Sequence, residues 1–199
     1  METAPQRFIR GGALAPPSIP CSFEEVRMPG FSVRLAVALS AALALPSAFA
    51  AAPKFQMPFP CKQVWHGNTR ENHSPKLAVD LSRSNGAGDK VVAAAKGRVS
   101  KVRNLGNTSY GKYVVIDHGG GWSTLYAHLN SYSVKVGDNL ALGQGIGTVG
   151  NTGTSFGAHL HHEQLLNGAL QKIKFNGAQI HYFDGRDKYT DYKSANSCP

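Results

Sequence analysis

A chain of 199 residues with a formal charge of +9 suits a partner that is an anionic polymer, whether bacterial cell wall, teichoic acid or nucleic acid, although solubility alone also accounts for such a charge. No nucleic-acid partner is expected, because Lys54, Lys62, Lys96, Arg98, Lys101, Arg103, Lys172 and Lys174 are scattered rather than interleaved with stacking aromatics. No segment stays apolar for the roughly 20 residues that a membrane-spanning helix needs, so no span is expected.

Residues 1–27 are Pro-rich and polar, and read as an upstream extension or a start placed too early, with translation expected from Met28. Residues 28–50 have the layout of a secretory signal peptide. Arg34 supplies the charge, Leu35 to Leu45 form an apolar run of 11 residues, and Ala48-Phe49-Ala50 is a small-x-small cleavage signal. Cys21 lies in no lipoprotein-type context. The expectation is a secreted or periplasmic protein whose mature part, residues 51–199, has 149 residues and +8, since four Arg and three Glu are removed. That length suits a single domain with a real core, expected to be a monomer.

Two cysteines remain, Cys61 and Cys198, and in an exported protein an even pair reads as a disulfide. It would close nearly the whole domain into a loop, worth up to roughly 4–5 kcal/mol in the chain-entropy model.

Residues 51–90 read as loop-rich, with Pro53, Pro58, Pro60 and Pro75 as breakers. From Lys90 to Gln164 short strands alternate with Gly turns: Val91–Ala95, Arg98–Arg103, Tyr113–Ile116, Trp122–Leu129, Val134–Val136, Gly137–Leu140 and Gly143–Gly150. Turn signals every 8–12 residues and little helical periodicity predict a mainly β fold: a sandwich, a barrel or a folded antiparallel sheet. Residues 168–199 form a polar tail with several aromatics and no readable structure of their own.

Three histidines fall within four positions in Gly157-Ala158-His159-Leu160-His161-His162-Glu163, after the turn Gly150-Asn151-Thr152-Gly153-Thr154. On a strand, His159 and His161 share one face, and Leu160 and His162 the other. Two imidazoles one strand-pitch apart can divide the work at a metal, one binding the ion and the other reaching a water or substrate beside it. Upstream, Asn72-His73-Ser74-Pro75-Lys76-Leu77-Ala78-Val79-Asp80 offers a histidine and a carboxylate. A catalytic zinc site takes three protein ligands and leaves one position open. His73, Asp80 and His161 would make such a set, while a capping Asp80 and a solvated His73 are the plainer alternatives. His128, ending Leu125-Tyr126-Ala127-His128-Leu129, falls by alternation on the face of Tyr126 and Thr124, either as a buried imidazole or as a base beside the ion.

These motifs together resemble the lysostaphin/β-lytic metallopeptidase family of zinc endopeptidases, which cut the peptides of bacterial peptidoglycan. The resemblance runs from about residue 58 to 168. It rests on His73 to Asp80, Tyr126-Ala127-His128-Leu129, Gly143-Gln144-Gly145-Ile146-Gly147, Gly150-Asn151-Thr152-Gly153 and His159-Leu160-His161-x-Glu163, in that order. It implies a single domain of folded antiparallel sheet with a groove, short loops and little helix. It also implies one zinc per chain on His73, Asp80 and His161, with His128 and His159 acting on water and the transition state, and peptidoglycan as partner. The pattern departs in places. Six residues separate His73 from Asp80 where the family has about three, which leaves His66 as a rival first ligand. His162 replaces the usual aromatic and should point away from the zinc. Lys112 stands where the family often has Asn. His118 and His181 read as structural or surface residues. The rival functions are a noncatalytic domain that binds peptidoglycan or activates a hydrolase, and a zinc protease acting on Gly-rich proteins.

Overall fold

Glycine, proline and asparagine interrupt the chain too often for a helix to nucleate, and the runs between them are rich in Val, Ile, Tyr and Trp, which favour a pleated, half-buried surface. The computed structural model describes residues 51–186 and 189–199, so the signal peptide and upstream extension expected over residues 1–50 lie outside the described residues. Among these there is no α-helix, and none long and apolar enough to cross a membrane. The strands are β1 (Val64–Asn68), β2 (Val79–Ser82), β3 (Lys90–Val92), β4 (Gly97–Asn104), β5 (Lys112–Gly119), β6 (Trp122–Ala127), β7 (Leu129–Tyr132), β8 (Asn139–Leu140), β9 (Gly145–Val149), β10 (Leu160–Leu166), β11 (Ala169–Gln171), β12 (Lys174–Phe175), β13 (Ala178–Gln179) and β14 (Tyr189–Lys193).

The large sheet runs β14-β1-β2-β10-β6-β5-β4-β8, with β11 paired to β10, and a smaller sheet runs β3-β9-β7. All pairings are antiparallel. One contiguous core joins the two sheets. Trp65, Leu81, Val114, Ile116, Tyr126 and Leu160 from the large sheet meet Val91, Leu129, Ile146 and Val149 from the small one. The Tyr126 hydroxyl accepts a hydrogen bond from Ala94 N at 2.9 Å, so its ring is buried without an unpaired polar atom. Phe55, Met57 and Phe59 complete the core, Phe59 stacking on Trp65 with ring centroids 3.6 Å apart.

Three elements differ from the sequence expectation. The loop-rich segment 51–90 contributes two strands, β1 and β2, and β1 pairs with β14 from the tail. The tail was unreadable because β14 alternates only partly buried residues and takes its order from a partner more than a hundred residues away. Val134–Val136 form no strand; Asp138 draws this stretch into a turn by accepting Lys135 N at 2.9 Å. The expected strand Trp122–Leu129 breaks at His128, where β6 leaves the large sheet and β7 joins the small one. Cys61 and Cys198 form the expected disulfide, with Cα atoms 5.0 Å apart, and tie the tail to the start of the domain.

Candidate metal centre

Strand β10 lies between β2 and β6, and its register sets His161 opposite Asp80 on one side and Ala127 on the other. Alternation then directs His161 and Glu163 to one face of the sheet, and His162 and Gln164 to the core face. His159 comes just before β10 and is held extended by a bridge to Gly150. His73 sits in the turn that leads into β2 and is 3% exposed. Asp80 is thus a strand residue and not a cap, and His73 is not a solvated loop residue.

The polar atoms converge. Asp80 Oδ1 lies 3.0 Å from His73 Nε2, 2.9 Å from His161 Nδ1 and 3.5 Å from His159 Nε2. The candidate ligand atoms of His73, Asp80 and His161 fall within 4.8 Å of one another. Donors about 2.1 Å from a tetrahedral ion stand roughly 3.4 Å apart, so the spacing fits an ion among these three residues. His73 supplies a second test. Its Nε2 is buried and makes no hydrogen bond despite its nearness to Asp80, while its Nδ1–H donates to Pro75 O at 2.9 Å. A carbonyl only accepts, so the proton is fixed on Nδ1 and the lone pair of Nε2 is left facing the cluster.

The same logic holds around the centre. His161 donates from Nε2 to Glu163 Oε1 at 3.0 Å, and its Nδ1 stands 2.9 Å from Asp80 Oδ1, where a bound ion would take the place of a proton. His128 Nδ1–H donates to Thr152 O at 2.8 Å, and His159 Nδ1–H to Gly157 O at 2.8 Å. Each of the four imidazoles therefore has one nitrogen pinned, and the second nitrogens of His73 and His161 meet at Asp80 Oδ1. The His128 ring lies 4.7 Å from that of His159 and 5.7 Å from that of His161.

His128 does not share the face of Tyr126, contrary to the alternation argument. It takes φ 59°, and this left-handed backbone turns its side chain across the sheet to the other histidines. Two loops hold it there. The backbone N–H of His128 donates to Tyr110 O at 3.0 Å, and Thr152 comes from a loop laced to residues 106–109 through Gly153 N to Gly106 O and Thr154 N to Ser109 O. Where these loops cross, Gly111 and Gly153 approach so closely that a Cβ on either would lie within 2.4 Å of the other's backbone. Only glycine fits.

Burial would raise the carboxyl of Asp80, but the imidazoles of His161, His73 and His159 gathered around it hold it far below the usual carboxylate range. Burial likewise opposes protonation of His161, yet Asp80 and Glu163 pull it up to about 9. For His128 burial prevails and lowers the imidazole to about 4.

A groove of about 550 Å³ opens over the cluster, with Arg70, Ser74, Ser155, Phe156 and Tyr189 on its walls. Phe156 is 98% exposed. The other flagged residues lie elsewhere. His66 pairs with Asp191 on β1, outside the cluster. His162 is fully buried on the core face, donating Nδ1–H to Leu125 O at 3.0 Å beside Tyr126. Lys112 Nζ donates to Asn130 O at 2.8 Å, away from the groove lining. His118 bonds Lys96 O and Thr124, and His181 is exposed. Sequence reasoning gave no role to Glu163, Tyr110 or Arg70. Glu163 was within reach, since its offset of two from His161 puts both on one strand face. Tyr110, whose hydroxyl donates to Glu163 Oε1 at 2.6 Å, comes in from a loop and has no local signature.

The sequence pattern described as Peptidase family M23 matches residues 74–173, half of the chain, so that His73 stands one residue ahead of the matched stretch. The DD-carboxypeptidase/endopeptidase Mpg of Neisseria meningitidis is 40% identical over 96 residues, 48% of this chain and 22% of that protein. The beta-lytic metalloendopeptidase of Lysobacter enzymogenes is 32% identical over 141 residues, 63% of this chain and 75% of that protein. Among solved structures, the M23 metalloprotease pseudoalterin from the deep sea superposes with a TM-score of 0.57 at 18% identity, covering 73% of this chain and 96% of that one, a likeness of fold. The chain spans about a fifth of the length of the first curated relatives that it matches.

Proposed function

The chain belongs to peptidase family M23, and from that premise we propose that it is an exported zinc metalloendopeptidase that hydrolyses cross-links or stem peptides of bacterial peptidoglycan. The observation that carries the reading is the convergence of His73, Asp80 and His161, with the free nitrogens of His128 and His159 beside them. The names of relatives, DD-carboxypeptidase/endopeptidase Mpg and the peptidoglycan DD-endopeptidase ShyA of Vibrio cholerae, support the substrate. The donor set of two imidazoles and one carboxylate suits zinc. A noncatalytic wall-binding domain would have no use for this full set of ligands and free imidazoles.

His73, Asp80 and His161 would hold the ion, which when bound would supply Lewis acidity for the scissile carbonyl and the attacking water. The protein's own residues do the rest. His128 is neutral at pH 7 because burial lowers it to about 4. Its Nδ1 proton is committed to Thr152 O, so Nε2 accepts the proton of the attacking water. That nitrogen then delivers the proton to the leaving amine. His159 Nε2 hydrogen-bonds the water from the other side. Glu163 and Tyr110 hold the ring of His161.

Mass spectrometry of fragments released from purified peptidoglycan, with and without chelator, tests the proposal. Peptides ending at a newly cut amide bond, absent with chelator and restored by zinc, are expected. Wall that is bound but left intact would favour the noncatalytic reading. Preferential cleavage of all-L, Gly-rich peptides over peptides with D-residues would favour a protease acting on Gly-rich proteins.

A further inference from the structure

One fixed cation in the groove has no part in the chemistry above. Arg70 follows β1, and its Nη1 lies 3.3 Å from Asp80 Oδ2. That is the outer oxygen of the carboxylate, since His73 and His161 gather on Oδ1. Its side chain remains 49% exposed while that of Asp80 is 13% exposed. Asp80 is its one ion-pair partner among the described residues. Among the residues lining the groove, Arg70 and Asp80 are the only Arg, Lys, Asp or Glu. An ion on Asp80 would offset the carboxylate's charge, so that the guanidinium would no longer be neutralised by it. One of its five N–H donors meets Asp80, and a planar fork of this kind pairs best with a second carboxylate.

We propose that Arg70 is a specificity residue that takes a free carboxylate on the residue flanking the scissile bond, so that peptides carrying that carboxylate are preferred over amidated counterparts. The inference rests on reading the groove as a peptidase site. Because Arg70 touches the same carboxylate that would hold the ion, its guanidinium would stand near the reacting centre, within reach of a group on a residue next to the scissile bond. A carboxylate is the anion that peptides commonly carry there. Phe156, exposed on the groove wall, offers an apolar surface that does not distinguish the two forms.

The test uses zinc-loaded protein and two D-alanyl peptides, identical except that the carboxyl flanking the scissile amide is free in one and amidated in the other. Calorimetry in a His128→Ala background, which slows hydrolysis of the peptides, reads binding, and hydrolysis is followed in parallel with His128 present. With Arg70 present the free-carboxylate peptide should bind roughly 10-fold tighter, the worth of a charge-assisted hydrogen bond at a half-exposed site. Arg70→Gln keeps a donor for Asp80 Oδ2 but removes the charge. It should bring the ratio close to one while leaving the amide's affinity and the zinc content unchanged. A ratio that survives Arg70→Gln overturns the proposal, as does equal weakening of both peptides with loss of zinc, or binding of neither. A binding preference with no hydrolysis would count against the peptidase reading and leave the role of Arg70 standing.

Discussion

Tyr126 and His128 stand two residues apart and point to opposite sides of the sheet. Tyr126 buries its ring against His162, centroids 5.0 Å apart, whereas His128 at φ 59° reaches His159. A side chain held in the left-handed region costs of order 1 kcal/mol, and less for asparagine. The site therefore maintains a strained residue, and the strain buys the placement of Nε2. His128→Asn should leave the melting temperature unchanged or slightly raised and the zinc content intact, while peptidoglycan turnover falls about 10²–10⁴-fold. Loss of zinc in this variant would show that His128 belongs to the ligand set.

The remaining histidines divide by the direction of their free nitrogens. Replacing His73, Asp80 or His161 by Ala should remove metal and activity together, because each supplies one of the three converging atoms. His159→Ala should keep the metal and lose about 10²–10⁴-fold in rate, and His66→Ala, outside the cluster, should change neither. Metal analysis beside turnover separates these outcomes. Zinc retained in His73→Ala but lost in His66→Ala would reverse the choice of first ligand.

Most of the site was legible because a period of two fixes faces. Once His161 is on a strand, Glu163 follows it and His162 opposes it. The strand character of β1 and β2 was hidden, since Pro75 and polar residues mask short segments that owe their order to β10 and β14. His128 was named from the sequence, but its face was misplaced for another reason. Its left-handed backbone is imposed by Tyr110 O and Thr152 O, contacts distant in sequence that no local pattern encodes. Arg70 and Tyr110 likewise reach the groove through loop paths.

Tyr110, Glu163 and His161 form a chain of 2.6 Å and 3.0 Å contacts in which Glu163 is 3% exposed. A carboxylate behind a metal-bound imidazole fixes its tautomer, and losing such a partner typically weakens metal binding about 10–100-fold. Glu163→Gln should show that loss in chelator competition, and Tyr110→Phe a smaller one. Saturating zinc should restore much of the rate. Unchanged zinc affinity in Glu163→Gln would reduce the chain to packing.

The sequence pattern directs His162 away from the ion. Its direction is as expected, but its surroundings are core: it is 0% exposed and bonded to Leu125 O. Truncation leaves a cavity in the core and loses the hydrogen bond to Leu125 O, so His162→Ala should cost about 2–5 kcal/mol. The folded fraction should still bind one zinc. A melting temperature equal to the parent's would show that the core closes over the gap.

His118 makes a prediction about acid. Burial is the main influence on this imidazole and lowers it from its ordinary 6.5, only partly offset by the hydrogen bond to Lys96 O and the charge of Asp117. Its two nitrogens bond Lys96 O at 2.7 Å and Thr124 Oγ1 at 2.8 Å, and Thr124 in turn bonds the Tyr126 hydroxyl at 2.9 Å. Above pH 6.5 the residue is neutral in both folded and unfolded chains, and its contribution to stability is fully present. As the pH falls below 6.5 the unfolded chain takes up a proton that the folded one resists, so stability declines toward the lowered folded value. His118→Gln keeps a donor for Lys96 O and does not titrate. Melting temperatures measured from pH 7.5 down to 5 should therefore fall more steeply for the parent than for this variant, while other buried groups such as His162 act alike in both. Parallel curves would mean that His118 takes up its proton in the folded state as readily as in the unfolded one.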